Sequence, residues 1–252
     1  MSKRIVVISD LQIPYHHKGA VEHLIRFVEA IKPDALACVG DELDAPMVSK
    51  YDENSRGEYS RRLQADIDDT HAVLAAFRRA MPEGEFWLQR SNHTDRLERY
   101  IEKKAPAIAS LRGLTYPELM RTNDLGITYN KKLTEITPGV LLGHGDEYGL
   151  SGISGMTAHK LMEATGKSVV IGHTHRLGLV WASKGYSGRV TSRFGLEVGN
   201  LMNMGSAGYL KPRGAANWQM GFGVLDIDGK NVQPYAVAMR PDGSFTFEGK
   251  NF

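Results

Sequence analysis

Three features of the sequence predict an α/β chain built as one sandwich of two mixed β-sheets flanked by helices. The first ninety or so residues alternate continuous apolar runs with stretches of helical period. From residue 127 the texture changes to short β-rich runs punctuated by glycine, with 21 of the 27 glycines in residues 139–252. Five of the apolar runs are also followed at once by residues that bind metals or move protons. A chain of 252 residues, 42% hydrophobic and 24% charged, has ample material for a core and is neither disordered nor fibrous.

Residues 4–9 form a β-branched run, the pattern of a strand buried on both faces. Val21, Leu24, Ile25, Val28 and Ile31 recur at helical spacing, and Pro33 stops that helix. Ala35–Val39 reads as a second buried strand, parallel to the first because a crossover helix joins them. Residues 60–80 carry Leu63, Ile67, Leu74 and Phe77 among charges, an amphipathic helix ended by Pro82. Phe86-Trp87-Leu88 is a third strand, followed by a charged helix over 95–104. The stretch around 95–125 has helical patches without a clear period and is expected to form a cap or insertion on a single domain spanning 1–252. Strands follow at 139–142 and 168–171, with a helix at 156–165 between them. Further strands are expected near 188–194, 196–202, 220–227 and 231–238, the last two joined through Asp228-Gly229.

The net charge of +2 argues against a dedicated polyanion-binding surface but leaves room for a phosphate pocket. One cysteine, Cys38, forms no internal disulfide and favours a reducing compartment. The apolar run after Lys3-Arg4 is too short for a signal or membrane segment, so a soluble, cytoplasmic protein with no membrane partner is expected.

The strand ends carry Asp10 and Gln12, Asp41 and Asp44, Asn92 and His93, His144, and His173 and His175. Taken singly, Asp10 or Asp41 reads as a turn or cap residue, Asn92 as a turn residue, and His144 equally as a loop histidine or a ligand. Two imidazoles two residues apart at the end of a buried strand are rarely needed for packing. Carboxyl ends of strands are where open α/β sheets bind ligands, so these side chains are expected to meet on one rim around shared metal. Mixed carboxylate, imidazole and amide donors suit Mn²⁺ foremost, with Fe, Zn²⁺ or Ni²⁺ as alternatives. Two such ions together clamp the attacking and leaving oxygens of a phosphoryl transfer, which points to phosphoester hydrolysis.

Asp10-Leu11-Gln12, Gly40-Asp41-Glu42-Leu43-Asp44, Ser91-Asn92-His93-Thr94, Gly143-His144 and Gly172-His173-Thr174-His175 together resemble the motif series of the calcineurin-like metallophosphoesterases. The resemblance spans 5–175, and Asn203-Met204-Gly205-Ser206 looks like the family's late N-P-G-S turn with Met for Pro. The Asp-Leu-Gln-Ile-Pro-Tyr-His opening looks most like bacterial and phage-encoded members. The resemblance implies a four-layer αββα sandwich and a two-metal centre. Asp10 and His175 would hold the first ion, Asp41 would bridge, and Asn92, His144 and His173 would hold the second. His93 would be the catalytic acid or hydrogen-bond donor beside the substrate, with Asn92, His93 and Arg96 as substrate-binding residues, and the nucleophile would be a two-metal-activated hydroxide. A histidine suits that task because either protonation state is accessible near neutral pH.

Three positions depart from the family pattern. Gln12 stands where the family has His, so that metal is expected to bind less tightly, or Gln12 to stay outside its shell, with His16 or His17 as compensating candidates. Ser91 replaces Gly at little expected cost. Thr94 replaces an acid, leaving Asp95 or Asp44 to orient His93. Arg90, Arg96 and Arg99 flank this loop as candidate phosphate ligands, although Arg96 and Arg99 on a charged helix are more often a solvated face. Trp181 and Trp218, expected in loops, are weak candidates for stacking on a base. The reading favours a phosphodiesterase for nucleotide or nucleic-acid diesters, with 2′,3′-cyclic nucleotides among the substrates. The alternatives are a DNA or RNA nuclease, a phosphomonoesterase, or a non-catalytic binding scaffold of the same fold.

Overall fold

Residues 2–50, 53, 58, 62–206 and 216–252 are described by the computed structural model. The buried run near the N-terminus becomes β1 (Ser2–Ile8), which leads into α1 (Lys18–Ile31) and β2 (Ala35–Cys38). Helix α1 buries Ala20, Val21, Leu24, Phe27 and Val28 on one side. Its N-terminus is capped by His17, whose Nδ1 accepts the Ala20 N–H, and it ends on Lys32 in the left-handed region before Pro33. Next come α2 (Leu63–Ala80), β3 (Glu85–Gln89), α3 (Thr94–Lys104), α4 (Tyr116–Leu119) and β4 (Ile127–Asn130). The first residues of the helix expected over 60–80 lie outside the described residues. Between α3 and β4 the chain is a series of short helical turns with α4 among them.

Strands β1 to β4 pair in parallel and in sequence order. Two strands from the far end of the chain, β10 (Gly221–Asp228) and β11 (Asn231–Ala238), join this sheet antiparallel on the β1 side, giving six strands in the order β11-β10-β1-β2-β3-β4. The change in texture at residue 127 therefore does not mark the boundary between sheets.

The second sheet has five strands in the order β5-β6-β7-β9-β8. They are β5 (Thr134–Thr137), β6 (Val140–Leu142), β7 (Ser168–Ile171), β8 (Leu177–Tyr186) and β9 (Arg189–Val198), with α5 (Met156–Thr165) between β6 and β7. The expectation of separate strands at 188–194 and 196–202 is corrected here: β9 is one ten-residue strand, paired along its whole length with the unforeseen β8. The hairpin closes on Ser187-Gly188, both at positive φ, as a tight two-residue turn requires. A short terminal hairpin, β12 (Thr246–Phe247) with β13 (Lys250–Asn251), completes the chain.

Strand parity builds four layers. On β1, Val6 and Ile8 face α1 and α2, meeting Leu24, Phe27, Leu74 and Phe77. Ile5 and Val7 face the second sheet, meeting Leu142, Val170 and Leu196. On β7, Val169 and Ile171 turn the other way, onto Ala158, Leu161 and Met162 of α5. The order α1/α2, first sheet, second sheet, α5 is the αββα sandwich expected. Phe27 ties the C-terminal hairpin to α1 through edge contacts with Phe245, Phe247 and Phe252, ring centroids 4.9–5.4 Å apart. Truncating so central a ring costs about 3–5 kcal/mol. None of the described helices is long and apolar enough to cross a membrane.

Candidate metal centre

The parallel strands of both sheets end at the same rim, so the loops after β1, β2, β3, β6 and β7 converge. Backbone bonds join them: the Asp10 N–H donates to Gly40 O (3.1 Å), Gln12 N–H to Asp41 O (2.9 Å), and Gly172 N–H to His144 O (2.9 Å). Asp10, Gln12, Asp41, His173 and His175 all have φ between 53 and 62. Side chains other than glycine reach this left-handed region at a cost of about 1 kcal/mol or more each, and persist there only where the surroundings overdetermine them. Two glycines are fixed by close approach. A Cβ on Gly172 would lie 1.8 Å from Ser9 Oγ, and one on Gly40 would lie 2.7 Å from His144 Nδ1.

One half of the rim centres on His144, which is fully buried. Its Nδ1 lies 2.7 Å from the Val39 carbonyl, an acceptor only, so Nδ1 carries a proton. Its Nε2 then faces Asn92 Oδ1 at 2.9 Å, His173 Nδ1 at 3.1 Å and Asp41 Oδ1 at 3.4 Å. Ligand atoms of Asp41, His144 and His173 all lie within 4.8 Å of one another. So many acceptors aimed at one place call for a proton or a cation between them. Burial alone would push the His144 imidazole down, but the Asp41 carboxylate overrides it and pushes it up to about 10. Burial likewise pushes Asp41 up, and His144 and His93 outweigh it, holding its carboxyl well below the usual range. Burial, then His144, pushes His173 down. Without a metal, a proton on His144 stands where a divalent cation would.

The other half is looser. Asp10, fully buried, accepts the Ser9 hydroxyl and the His173 N–H (2.9 Å) at Oδ2. Its buried Oδ1 has no hydrogen-bond donor and lies 3.2 Å from His175 Nε2. Gln12 donates from Nε2 to Asp41 Oδ2 at 3.2 Å, which leaves its buried Oε1 without a donor. Two orphaned oxygens and an imidazole in one buried place fit a hard cation of borderline character. His175 is backed by Met202 Sδ, 3.2 Å from its Nδ1, and stacks on Trp218 with centroids 4.4 Å apart. His17 is spent on capping α1. His16 is half-buried, pairs through its backbone with Met202, and is pushed down by burial and then by Lys18.

The structure brings His93 to the same rim, with Nε2 3.6 Å from Asp41 Oδ2 and Nδ1 3.2 Å from Asp44 Oδ1. Arg96 Nη2 lies 2.6 Å from His93 Nε2, and Arg96 Nη1 donates to the Asp44 carbonyl. A guanidinium donates only, so Nε2 presents its lone pair to Arg96, while the buried Nδ1 lies near Asp44 without a hydrogen bond to it. Asp44, not Asp95, is therefore the carboxylate facing His93. Asp95 is held instead by Arg90, which also grips Asp146 at 2.7 and 2.8 Å. Arg90 thus ties the loop after β3 to the loop after β6.

Several supporting residues had no signal of their own in the sequence. Ser91 Oγ accepts N–H groups from Asp41 (3.2 Å) and Thr94 (3.1 Å), joining two site loops and capping α3, a larger role than its replacement of Gly suggested. Glu197, buried on β9, accepts the Thr157 and Ala158 N–H groups at the start of α5 and, through its other oxygen, the Thr174 hydroxyl at 2.9 Å. That clamps the residue between His173 and His175. Trp181 lies in β8 against Phe194, not in a loop.

This fold and rim define a four-layer αββα sandwich with a candidate metal site. The chain belongs to the family of mycobacteriophage Gene 54 proteins. It is 36% identical over 252 residues to the Gene 54 protein of Mycobacterium phage D29, covering 99% of this chain and 98% of that one. It is 34% identical over 253 residues to its counterpart in Mycobacterium phage L5, with the same coverage. No family model matches the chain. Among solved structures, Vacuolar Protein Sorting 29 from Cryptosporidium parvum overlays with a TM-score of 0.45 at 15% identity, covering 100% of this chain and 95% of that one. A likeness at that level says nothing about activity.

Proposed function

We propose that the protein is a metal-dependent phosphodiesterase acting on nucleotide or nucleic-acid diesters. The observation that carries this reading is the convergence of Asp41, Asn92, His144 and His173 on one point, with His93 opening onto the same rim. Asp41, Asn92, His144 and His173 would hold one divalent ion, and Asp10, Asp41, His175 and the Gln12 amide oxygen a second, with Mn²⁺ the first to test. Bound there, such ions supply positive charge to the phosphoryl oxygens and activate water.

The remaining tasks fall to the chain itself. Asp44 lies 3.2 Å from Nδ1 of His93, and Nε2 is the atom turned toward Asp41, Arg96 and an incoming phosphoryl group. Arg96 contacts His93 now and is placed to contact a phosphate oxygen when substrate enters. A phosphodiester needs a proton for its departing alkoxide more than an activated monoester does. Protonated on both ring nitrogens, His93 would give its Nε2 proton to that alkoxide, with Arg96 turned from the ring to a phosphate oxygen.

The test is a Mn²⁺-supplemented panel of a model monoester, a model diester, 2′,3′- and 3′,5′-cyclic nucleotides and single-stranded DNA. Asn92→Ala and His93→Ala are run alongside. Diester turnover lost in both variants is expected. Full activity in Asn92→Ala overturns the ligand assignment. Less than one bound transition metal per chain, together with no Mn²⁺-stimulated turnover, overturns the enzyme reading in favour of a binding scaffold.

A further inference from the structure

A cavity of about 240 Å³ opens at Asn92 and runs beside α3, with Val48 and Ser49 forming part of its opposite wall. Arg96, Arg99 and Lys103 line it from α3 at helical spacing, and Lys50 and Lys104 add two more cations. Among the described residues the lining holds one carboxylate, Glu53, against five cations, a net +4, and Arg96 and Arg99 are met from outside the lining by Asp44 (3.3 Å) and Asp95 (3.1 Å). The whole chain carries +2, so everything outside the trough sums to −2.

Helix α3 carries one i,i+4 ion pair, Asp95 with Arg99 at 3.1 Å, and its remaining acids and bases line different cavities. Asp95, Glu98 and Glu102 line a different cavity, beneath Tyr116 and Tyr129. Glu98 and Glu102 therefore lie away from the trough, while Asp95 reaches across to Arg99. Glu53 sits where an anion is wanted: its oxygens lie 2.8–3.0 Å from Lys103 Nζ and 2.8 Å from Lys104 Nζ. Hydrogen bonds from Lys103 and then Lys104 pull its carboxyl down to about 2. Arg96 to Lys103 spans about 10 Å of helix axis at ~1.5 Å per residue, room for two or three backbone phosphates.

We propose that this trough is a phosphate track, and that the substrate is a single-stranded polynucleotide. Its scissile diester lies at Asn92 and His93, and its neighbouring phosphates lie along Arg96, Arg99 and Lys103. The proposal rests on the phosphodiesterase reading and narrows it from diesters in general to a polymer. A single strand is proposed because the cations form one line along α3, enough to follow one backbone. Grooves that track one strand combine a basic floor with tolerance of sequence, and their binding falls steeply with salt.

The test has a metal-free arm and a turnover arm. In EDTA, fluorescence anisotropy of a fluorescein-labelled oligo-dT strand is titrated at several salt concentrations. Arg99→Ala/Lys103→Ala/Lys104→Ala is expected to weaken binding at least tenfold and to flatten the slope of log K against log salt by about 2, at ~0.7 per contact. Glu53→Gln, which removes the competing anion, is expected to tighten binding. With Mn²⁺, the ratio of oligo-dT to 2′,3′-cyclic nucleotide turnover is expected to fall at least tenfold in the triple variant. An unchanged slope and ratio in that variant overturn the track, and so does equal competition by a duplex of the same length. Salt-dependent binding without turnover of either substrate overturns the phosphodiesterase reading and leaves the track as a binding surface. Cyclic-nucleotide turnover with salt-insensitive oligo-dT binding overturns the track alone.

Discussion

The two halves of the rim are built from the same kinds of residue to different tolerances. Around His144, three further side chains aim at a single point, and the imidazole is fixed from behind by a backbone carbonyl at 2.7 Å. Around Asp10 the imidazole is His175, backed by a thioether and an indole face, and the amide of Gln12 already spends its N–H on Asp41. A carbonyl fixes both the tautomer and the direction of a ring, whereas a thioether is a weak acceptor and does neither firmly. The contrast teaches that affinity in such a centre depends on what stands behind each ligand as well as on the ligand itself.

The contrast is broken most directly by removing its firmest member. His144→Ala is expected to lower Mn²⁺-dependent turnover about 10³-fold and to abolish the tighter of two binding steps in calorimetry, whereas His175→Ala removes only the weaker step. Equal loss of the tighter step in both variants would erase the distinction between the halves.

A second effect comes from Glu42, directly behind the compact half. It is fully buried, and burial pushes its carboxyl from the ordinary 4.5 up to about 7, partly offset by the Tyr116 hydroxyl that donates to it. Between those two values the folded chain keeps a proton that the unfolded chain releases. The stabilisation is therefore complete below about 4.5 and is lost as pH rises through about 7. Across that window the metal-free protein is expected to lose on the order of 3 kcal/mol of stability in denaturant titrations. Glu42→Gln should flatten the loss, and an unchanged slope would refute the assignment to Glu42.

The smallest change sharpens the contrast. Gln12→His supplies an imidazole at the looser half and is expected to tighten the weaker Mn²⁺ step about tenfold without moving the tighter one. A shift in the tighter step instead would mean that Gln12 acts mainly through Asp41.

Much of the fold and the candidate site was legible because buried parallel strands announce themselves. Ile5–Ile8, Ala35–Cys38 and Val169–Ile171 are unbroken apolar runs, and the residues after them sit on the rim because the strands point there. Strand β8 went unread, with Trp181 placed in a loop: close approach demands its Gly178, since a Cβ there would lie 2.6 Å from Gly155 N, and glycine carries no strand signal. The pairing of β10 with β1 joins residues more than two hundred apart, and no local pattern encodes it. Asp44 lies farther from His93 in sequence than Asp95 does, yet it is the one facing the ring, because Arg90 pulls Asp95 away. The net charge was misleading in the same manner: an average of +2 is compatible with a trough of +4, since a sum carries no record of position.

The left-handed backbone at Asp10, Gln12, Asp41, His173 and His175 sets stability and chemistry against each other. At each of these positions glycine is the residue the main chain itself prefers, and glycine offers no ligand atom. Selection for a tougher protein alone would therefore erode the rim one residue at a time while the sandwich grew firmer. A chain that keeps all five side chains marks them as the place where durability has been surrendered for use.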